Sequence, residues 1–163
     1  MASAPLLEVS VATARDVGNI DKCYAVRKQV FVLEQGVPES IERDDQDATA
    51  THILATASGD AAVGAARLLV SGAGGDKVGK IGRVCVLPEH RKKGVGRAVV
   101  LESVEELRRQ GCAYAKLGAQ KTAVGFYDSM GFRRDPQGGP NHDGAEYIDG
   151  PEVLHVDMVL DIM

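Results

Sequence analysis

Tryptophan is absent from the chain, and aromatic residues of all kinds make up only 4% of its 163 positions. That scarcity leaves little for the stacking platforms on which single-stranded nucleic acid is bound, and it calls for a core of Val, Leu, Ile and Ala. A basic excess is missing too. The net charge is −4, whereas neutralising a nucleic-acid backbone needs the opposite sign. Cys23, Cys85 and Cys112 are odd in number and far apart. With no C-x-x-C pair there is neither a zinc knuckle nor a thioredoxin-like redox pair, and no histidines have metal-ligand spacing, so no metal is expected. Free thiols point to a reducing compartment, the cytoplasm. No run of about 18 apolar residues occurs, so no membrane span is expected. Residues 1–14 are apolar but lack Lys or Arg ahead of their hydrophobic positions and are interrupted by Glu8, so they read as a first strand rather than a leader.

What remains is a globular balance of 44% hydrophobic and 26% charged residues, and a length that suits one domain, 1–163. Leu7, Val9 and Val11 alternate as in a strand. Ile20, Cys23, Tyr24, Arg27, Val30 and Phe31 recur at threes and fours and predict a helix, stopped at Gly36-Val37-Pro38. An acidic loop runs to about Ala50. Residues 51–57, 62–70 and 78–87 read as three strands of an antiparallel meander joined by glycine-bearing turns. The spacing predicts a helix over 94–110 with Val100, Val104 and Leu107 on one stripe, Arg108 and Arg109 favouring its C-terminal dipole and Gly111 ending it. A strand at 113–118, a short helix from 121 to 130, a loop at 136–140 and a last strand at 153–162 complete an α/β domain with a mixed sheet.

The turn Arg91-Lys92-Lys93-Gly94-Val95-Gly96 stands between a strand and a helix. Two glycines let backbone approach a phosphate closely. The first turn of the helix aims unpaired N–H groups at the same point, where the dipole also favours an anion. Arg91, Lys92, Lys93 and Arg97 surround that point with cations, and a pyrophosphate is its natural guest. The spelling is not that of a P-loop, which needs G-x-x-x-x-G-K-S/T. Nor is it a dinucleotide fingerprint, because Val99 stands where the third Gly or Ala belongs. The plainer alternative is a basic surface turn with two flexible residues.

The stretch Val84-Cys85-Val86-Leu87-Pro88-Glu89-His90-Arg91-Lys92-Lys93-Gly94-Val95-Gly96 resembles the acetyl-CoA motif of the GNAT superfamily of N-acetyltransferases. Phe126-Tyr127-Asp128-Ser129-Met130-Gly131-Phe132 resembles the same superfamily's F-Y-x-x-x-G-F hallmark, in the right order. Val30-Phe31-Val32-Leu33-Glu34-Gln35, His52-Ile53-Leu54, Ile81-Gly82-Arg83-Val84, Leu117-Gly118-Ala119-Gln120 and His155 are similar to the ElaA-like branch, over about Arg27 to Met158. The resemblance implies a mostly antiparallel sheet flanked by helices, with acetyl-CoA as co-substrate. It implies that backbone groups of Val84 and Val86, with Cys85 between them, pair with the pantetheine arm. It implies that the N–H groups of Lys92 through Arg97 hold the pyrophosphate, and that Tyr127, beside Phe126, protonates the leaving thiolate. Many members carry asparagine where this chain has Gln120, a pantetheine contact in those proteins. A homodimer is a common outcome in such folds.

Transfer from a thioester to an amine needs a neutral nucleophile, a polarised carbonyl and a proton for the thiolate. Glu34, Asp45, Asp47, His52, Glu146 and His155 are candidates for the base. Glu34, at the end of the first helix, is placed nearest the expected acceptor cleft. The plainer reading is an exposed helix-end carboxylate, and for each histidine a hydrogen-bonded structural role. Arg27, Glu34, Asp45, Asp47, His52 and His155 are the acceptor-side candidates. Cys85 and Cys112 read as small buried hydrophobes. Glu39, Glu42, Asp44, Asp45 and Asp47 crowd one arginine, Arg43, and suggest either a funnel for a cationic amine or a solvated loop. The expected acceptor is a small-molecule amine, an amino sugar such as glucosamine or its phosphate, or a polyamine. A protein lysine or N-terminus is the enzymic alternative, and a non-catalytic acetyl-CoA-binding module or a nucleotide-binding protein the alternatives of other classes.

Overall fold

The computed structural model describes residues 6–13, 15–136 and 155–163. Seven strands form one sheet in the order β1-β2-β3-β4-β5-β7-β6. Leu7–Ala12 (β1), Thr51–Ala57 (β2), Ala61–Ser71 (β3) and Val78–Val86 (β4) lie antiparallel, each beside the next, so the expected meander is present. β4 then pairs in parallel with Tyr114–Gln120 (β5), reached through the crossover helix Val95–Arg109 (α3). His155–Asp161 (β7) inserts antiparallel between β5 and Arg133–Arg134 (β6). The two residues of β6 are too few to show a period, so no sequence signal marks them. The sheet is mixed, mostly antiparallel and flanked by helices, as expected.

Helix Val17–Arg27 (α1) continues into a π-helical run, Lys28–Glu34, closed by N–H bonds from Gln35 to Val30 O at 3.1 Å and from Val37 to Phe31 O at 2.9 Å. The acidic loop is not irregular. It holds the single-turn helix Glu39–Glu42 (α2) and a tight turn, Asp45–Ala48, capped by Asp44. The expected helix after β5 is confined to Val124–Asp128 (α4), preceded by one turn at Lys121–Ala123.

The two faces of the sheet are covered by different helices. On one, Val95, Val99, Val100, Val104 and Leu107 of α3 meet Ile53, Ala55, Leu68, Ile81, Ala115 and Leu117. On the other, Cys23, Val26, Val30 and Phe31 meet Leu54, Ala65 and Cys85. α3 comes so close to β4 that a Cβ on Gly79 would overlap the Leu107 side chain. β4 serves both cores because it is bulged: Ala65 stands opposite Cys85 but Arg67 opposite Gly82, one residue extra on β4. That insertion reverses the side-chain parity, so Gly79 and Ile81 face α3 while Cys85 faces α1.

Candidate active site

β4 and β5 pair only at Val78–Lys80 with Tyr114–Lys116 among the described residues. Beyond that they part, because β5 stays with β7 as far as Gln120 and His155. A cavity of about 880 Å³ occupies the opening. Its walls are Val84, Cys85 and Val86 on one side, and Leu117, Gly118 and Gln120 on the other. The Leu87 N–H bonds Val63 O on β3 at 2.9 Å, so by strand alternation the amide groups of Val86 and Val84 face the opening. Val86 O is engaged by Arg91 Nε at 2.9 Å, and no strand covers the rest of this edge, which fits an extended amide-bearing arm such as pantetheine.

At one end the cavity meets the glycine turn, where Arg91, Lys92, Gly94, Gly96 and Arg97 line it. Gly94 caps α3 in a left-handed conformation, φ 85°, and a Cβ there would have nothing within 4 Å. Space in front of the helix N-terminus is therefore open, with first-turn N–H groups lacking intrahelical acceptors and no acidic residue in that turn. An anion fits there. Gly96 packs closely too: a Cβ there would stand in van der Waals contact, 3.4 Å from Phe126 Cζ and 3.6 Å from Val86 Cγ2. The two hallmark segments are thus packed on each other.

Arg91 behaves differently from its cationic neighbours. Its Nε donates to Val86 O at 2.9 Å, and Nη1 and Nη2 donate to the two carboxylate oxygens of Glu34 at 2.8 and 2.6 Å. These hydrogen bonds and the arginine charge hold the Glu34 carboxyl below the usual carboxylate range. Glu34 is an anion engaged at both oxygens, a poor arrangement for a base and a good one for a latch between the π-helical run and the cofactor turn. Its neighbour Gln35 is the residue that lines the cavity.

Tyr127 lines the cavity while 8% exposed, edge-on to Phe126 at 5.0 Å and to Phe132 at 5.9 Å. Burial, with a smaller effect of Cys85, raises its phenol to about 12, so it keeps its proton throughout the physiological range. Burial also pushes the Cys85 thiol up and that of Cys23 to about 12, which suits inert packing residues and not nucleophiles.

Both readings of the acidic loop, a funnel for a cationic amine or a solvated loop, fail at Glu42 and Asp47. Glu42 and Asp47 are buried, and so are Arg27, Arg67 and Arg83 from three other elements. Arg27 donates from Nε to Glu42 Oε1 at 2.5 Å, from Nη1 and Nη2 to the Asp47 carboxylate at 2.7 and 3.1 Å, and from Nη2 to Glu42 O at 2.9 Å. Arg67 Nη1 reaches Asp44 at 2.8 Å and Asp47 at 3.2 Å. Arg83, in the β4 bulge at φ 53°, donates from Nε and Nη2 to Glu42 O at 3.2 and 3.1 Å. A non-glycine residue there is strained, and this clasp holds it. His52 is fully buried, with Nε2 3.1 Å from Asp47 O and Nδ1 without a hydrogen-bond partner. Burial first, then the charges of Arg27 and Arg67 against the pull of Asp47, lower its pKa, so the ring is neutral. Arg27, Asp47 and His52 therefore build the α1 face and do not line the cavity. Asp45 is exposed and outside the lining as well.

His155 alone of the expected acceptor-side residues is among the lining groups. Sequence reading passed over Lys80, Lys116, Asp135 and Asp157, which line the same end. Lys80, Lys116 and Asp157 share one sheet face, which only the β4–β5 and β5–β7 registers reveal, and Asp135, just past β6, meets Lys116 there. Glu146, His142 and the expected loop beyond Pro136 lie outside the described residues. Among those described, no group of three or more His, Cys, Asp and Glu is placed to hold a metal ion, and no helix is long and apolar enough to cross a membrane.

A parted β4–β5 pair that opens onto a glycine turn, with a buried tyrosine on its wall, defines an acyl-CoA-dependent acyltransferase. The model of the acetyltransferase (GNAT) family matches residues 20–132, and the chain belongs to that family. It is an acetyl-CoA-dependent N-acetyltransferase. YjcF of Bacillus subtilis, an uncharacterized N-acetyltransferase, is 36% identical over 121 residues, 74% of this chain and 82% of that one. The crystal structure of Escherichia coli ElaA matches with a TM-score of 0.76 at 26% identity, covering 96% of this chain and all of that one. The chain resembles the ElaA-like branch. A glucosamine 6-phosphate N-acetyltransferase of Trypanosoma brucei brucei is 35% identical over 74 residues, 44% of this chain and 50% of that protein.

Proposed function

We propose that the chain transfers an acetyl group to the primary amine of a small molecule in this cavity. The observation that carries the reading is continuity. One continuous cleft is lined by the glycine turn, by Tyr127 and by a polar floor on β4, β5 and β7. Acetyl-CoA supplies the acyl group and the thiolate leaving group. Gly94, Gly96 and the first turn of α3 would hold its pyrophosphate, with Lys92 and Arg97 adding charge. The parted edge of β4 at Val84 and the Val86 N–H would pair with the pantetheine amides, and Gln120 lines the same opening.

In this reading Tyr127 holds the proton that the sulfur takes up, and the burial that keeps it protonated also disfavours a free thiolate beside it. Glu34 locks Arg91. His155, with Asp157 next along β7 on the same face, is then placed to take the amine's proton. The trypanosomal relative acts on glucosamine 6-phosphate, which supports an amino sugar or its phosphate; a polyamine is the other small-amine class. The buried thiols fit the cytoplasm as the compartment.

A panel of amino sugars, their phosphates, polyamines, lysine peptides and N-terminal peptides, scored by thiol release from acetyl-CoA, tests the reading. Turnover confined to small amines is the expected outcome. Turnover confined to peptides would replace it with protein acetylation. Tight acetyl-CoA binding with no amine turned over would replace it with a binding module.

A further inference from the structure

The floor of the cavity carries charges of both signs at a defined spacing. Lys80 and Lys116 stand in register across the parallel β4–β5 pair, an arrangement of like charges that a sheet disfavours. Two residues further along β5, Gly118 stands opposite Asp157, and Gln120 stands opposite His155. Ala115, Leu117 and Ala119 point into the α3 core. By alternation Lys116, Gly118 and Gln120 face the other way, as do their partners His155 and Asp157 and the register mate Lys80. All of them line the cavity.

Two details shape this floor. Gly118 contributes no side chain, and a Cβ there would stand 3.8 Å from Asp157 Oδ1 and 3.9 Å from His155 Cδ2. The carboxylate and the imidazole therefore lean over bare backbone, next to the space where β4 and β5 part. Lys116 Nζ lies 3.1 Å from Asp135 Oδ2, and Asp135 is mostly covered. A ligand meets a built, two-signed network rather than a stray surface charge.

The signs exclude some ligands. A polycation entering here meets two lysines, and a polyanion meets two aspartates. A molecule with an amine at one end and an anionic group at the other finds an opposite charge for each. A rise of two strand residues combined with the spacing between strands puts the Asp157 position about 8 Å from that of Lys116 and about 12 Å from that of Lys80, one strand further away. Partial exclusion of water strengthens both attractions.

We propose that this floor is the acceptor subsite, and that it selects an amine carrying an anionic group, phosphate or carboxylate, several bonds away. Lys80 and Lys116 take the anion, while Asp157 and His155 face the amine. The proposal rests on the reading of the cavity as an acetyl-transfer site and chooses within it, favouring a phosphorylated amino sugar over a polyamine.

The test compares glucosamine, glucosamine 6-phosphate and spermidine at saturating acetyl-CoA, for the wild-type chain and for K80Q/K116Q. In the wild type, kcat/KM for the 6-phosphate should exceed that for glucosamine by at least about tenfold, and added salt should narrow the gap. In the double variant the ratio should fall towards one through a rise in KM of the 6-phosphate, with acetyl-CoA affinity by calorimetry unchanged. Equal use of the two sugars, preference for spermidine, or a phosphate preference that survives K80Q/K116Q would each overturn the proposal. Acetyl-CoA binding with turnover of peptide amines alone would overturn this subsite and leave acetyl transfer standing. Failure of the wild type to bind acetyl-CoA would remove the underlying reading with it.

Discussion

Tyr127 and Gly96 show how much one atom can carry in this site. The phenol is buried, protonated and on the cavity wall, and Tyr127→Phe deletes only its oxygen. Calorimetry with CoA and thermal melting should barely change, while kcat with an accepted amine should fall about a hundredfold to ten-thousandfold, the worth of a general acid. A wild-type rate where chemistry is limiting would reduce Tyr127 to a packing residue. Gly96→Val obstructs the pyrophosphate turn and also pushes on Phe126 and Val86. Loss of two hydrogen bonds to charged oxygens alone costs about 3 kcal/mol or more. Acetyl-CoA affinity should therefore weaken well beyond tenfold in a variant that still folds, and an unchanged Kd would move the pyrophosphate elsewhere.

At the scale of the element, β4 does most to make the site. Its first half is a core strand, and Gly79 is the residue that lets α3 lie on it. Gly79→Ala forces a Cβ into Leu107, and overpacking of this kind destabilises by about 1–3 kcal/mol. Chemical denaturation should show that loss, and Leu107→Ala in the same chain should cost less than it does alone, because the two changes are coupled. The second half begins at the bulge, where the acidic loop grips Arg83. Arg83→Gly relieves the positive φ yet releases the clasp. If relief of strain were all that mattered, the variant would be silent. The expectation is instead a fall in kcat of about a hundredfold, as for a misplacement near 1 Å, with acetyl-CoA affinity reduced far less, because the pyrophosphate turn is untouched and only the pantetheine contact at Val84 is disturbed. The π-helical run belongs to the same scale: it brings Glu34 to Arg91 and turns Gln35 into the cavity.

For the molecule as a whole, the buried network ties α1, β2, β3, β4 and the acidic loop together and sets the response to acid. Burial alone would raise the Asp47 carboxyl, but hydrogen bonds and charge from Arg27, the Asp44 N–H and Arg67 outweigh it and leave it at about 2. A carboxyl whose folded pKa is depressed stabilises the fold above its unfolded pKa and loses that contribution as pH falls. Here the window runs from about 4 down to 2, and the loss is about 2 kcal/mol. His52, also depressed, adds an earlier loss that begins below its ordinary pKa of 6.5. Stability measured by urea denaturation should therefore decline from mildly acidic pH and steepen below about 4. Asp47→Asn should flatten the lower limb and cost about 3–5 kcal/mol at neutral pH, since it leaves Arg27 short of a partner in the interior. A variant with an unchanged acid limb would show that Asp47 is not its source.

The sequence by itself determined the parts whose cause is local. Periodicity placed β2, β3, β4 and α3, because burial on one face repeats every two or every 3.6 residues. Spelling was enough for the glycine turn ahead of α3, since glycine freedom and a helix N-terminus act within a few residues. Legibility ended where the cause is a long-range pair. The acidic loop read as a funnel or a solvated loop, and not as a buried clasp, because its three arginine partners are 15 to 42 positions away. Glu34 read either as a base or as an exposed helix-end carboxylate because nothing local announces Arg91, 57 residues on. Lys80, Lys116 and Asp157 carried no signal at all, for they share a wall only after β4 meets β5 and β7 slips in beside it. Residue type decides what chemistry a side chain can do, but strand register and the one-residue bulge decide which face it does it on.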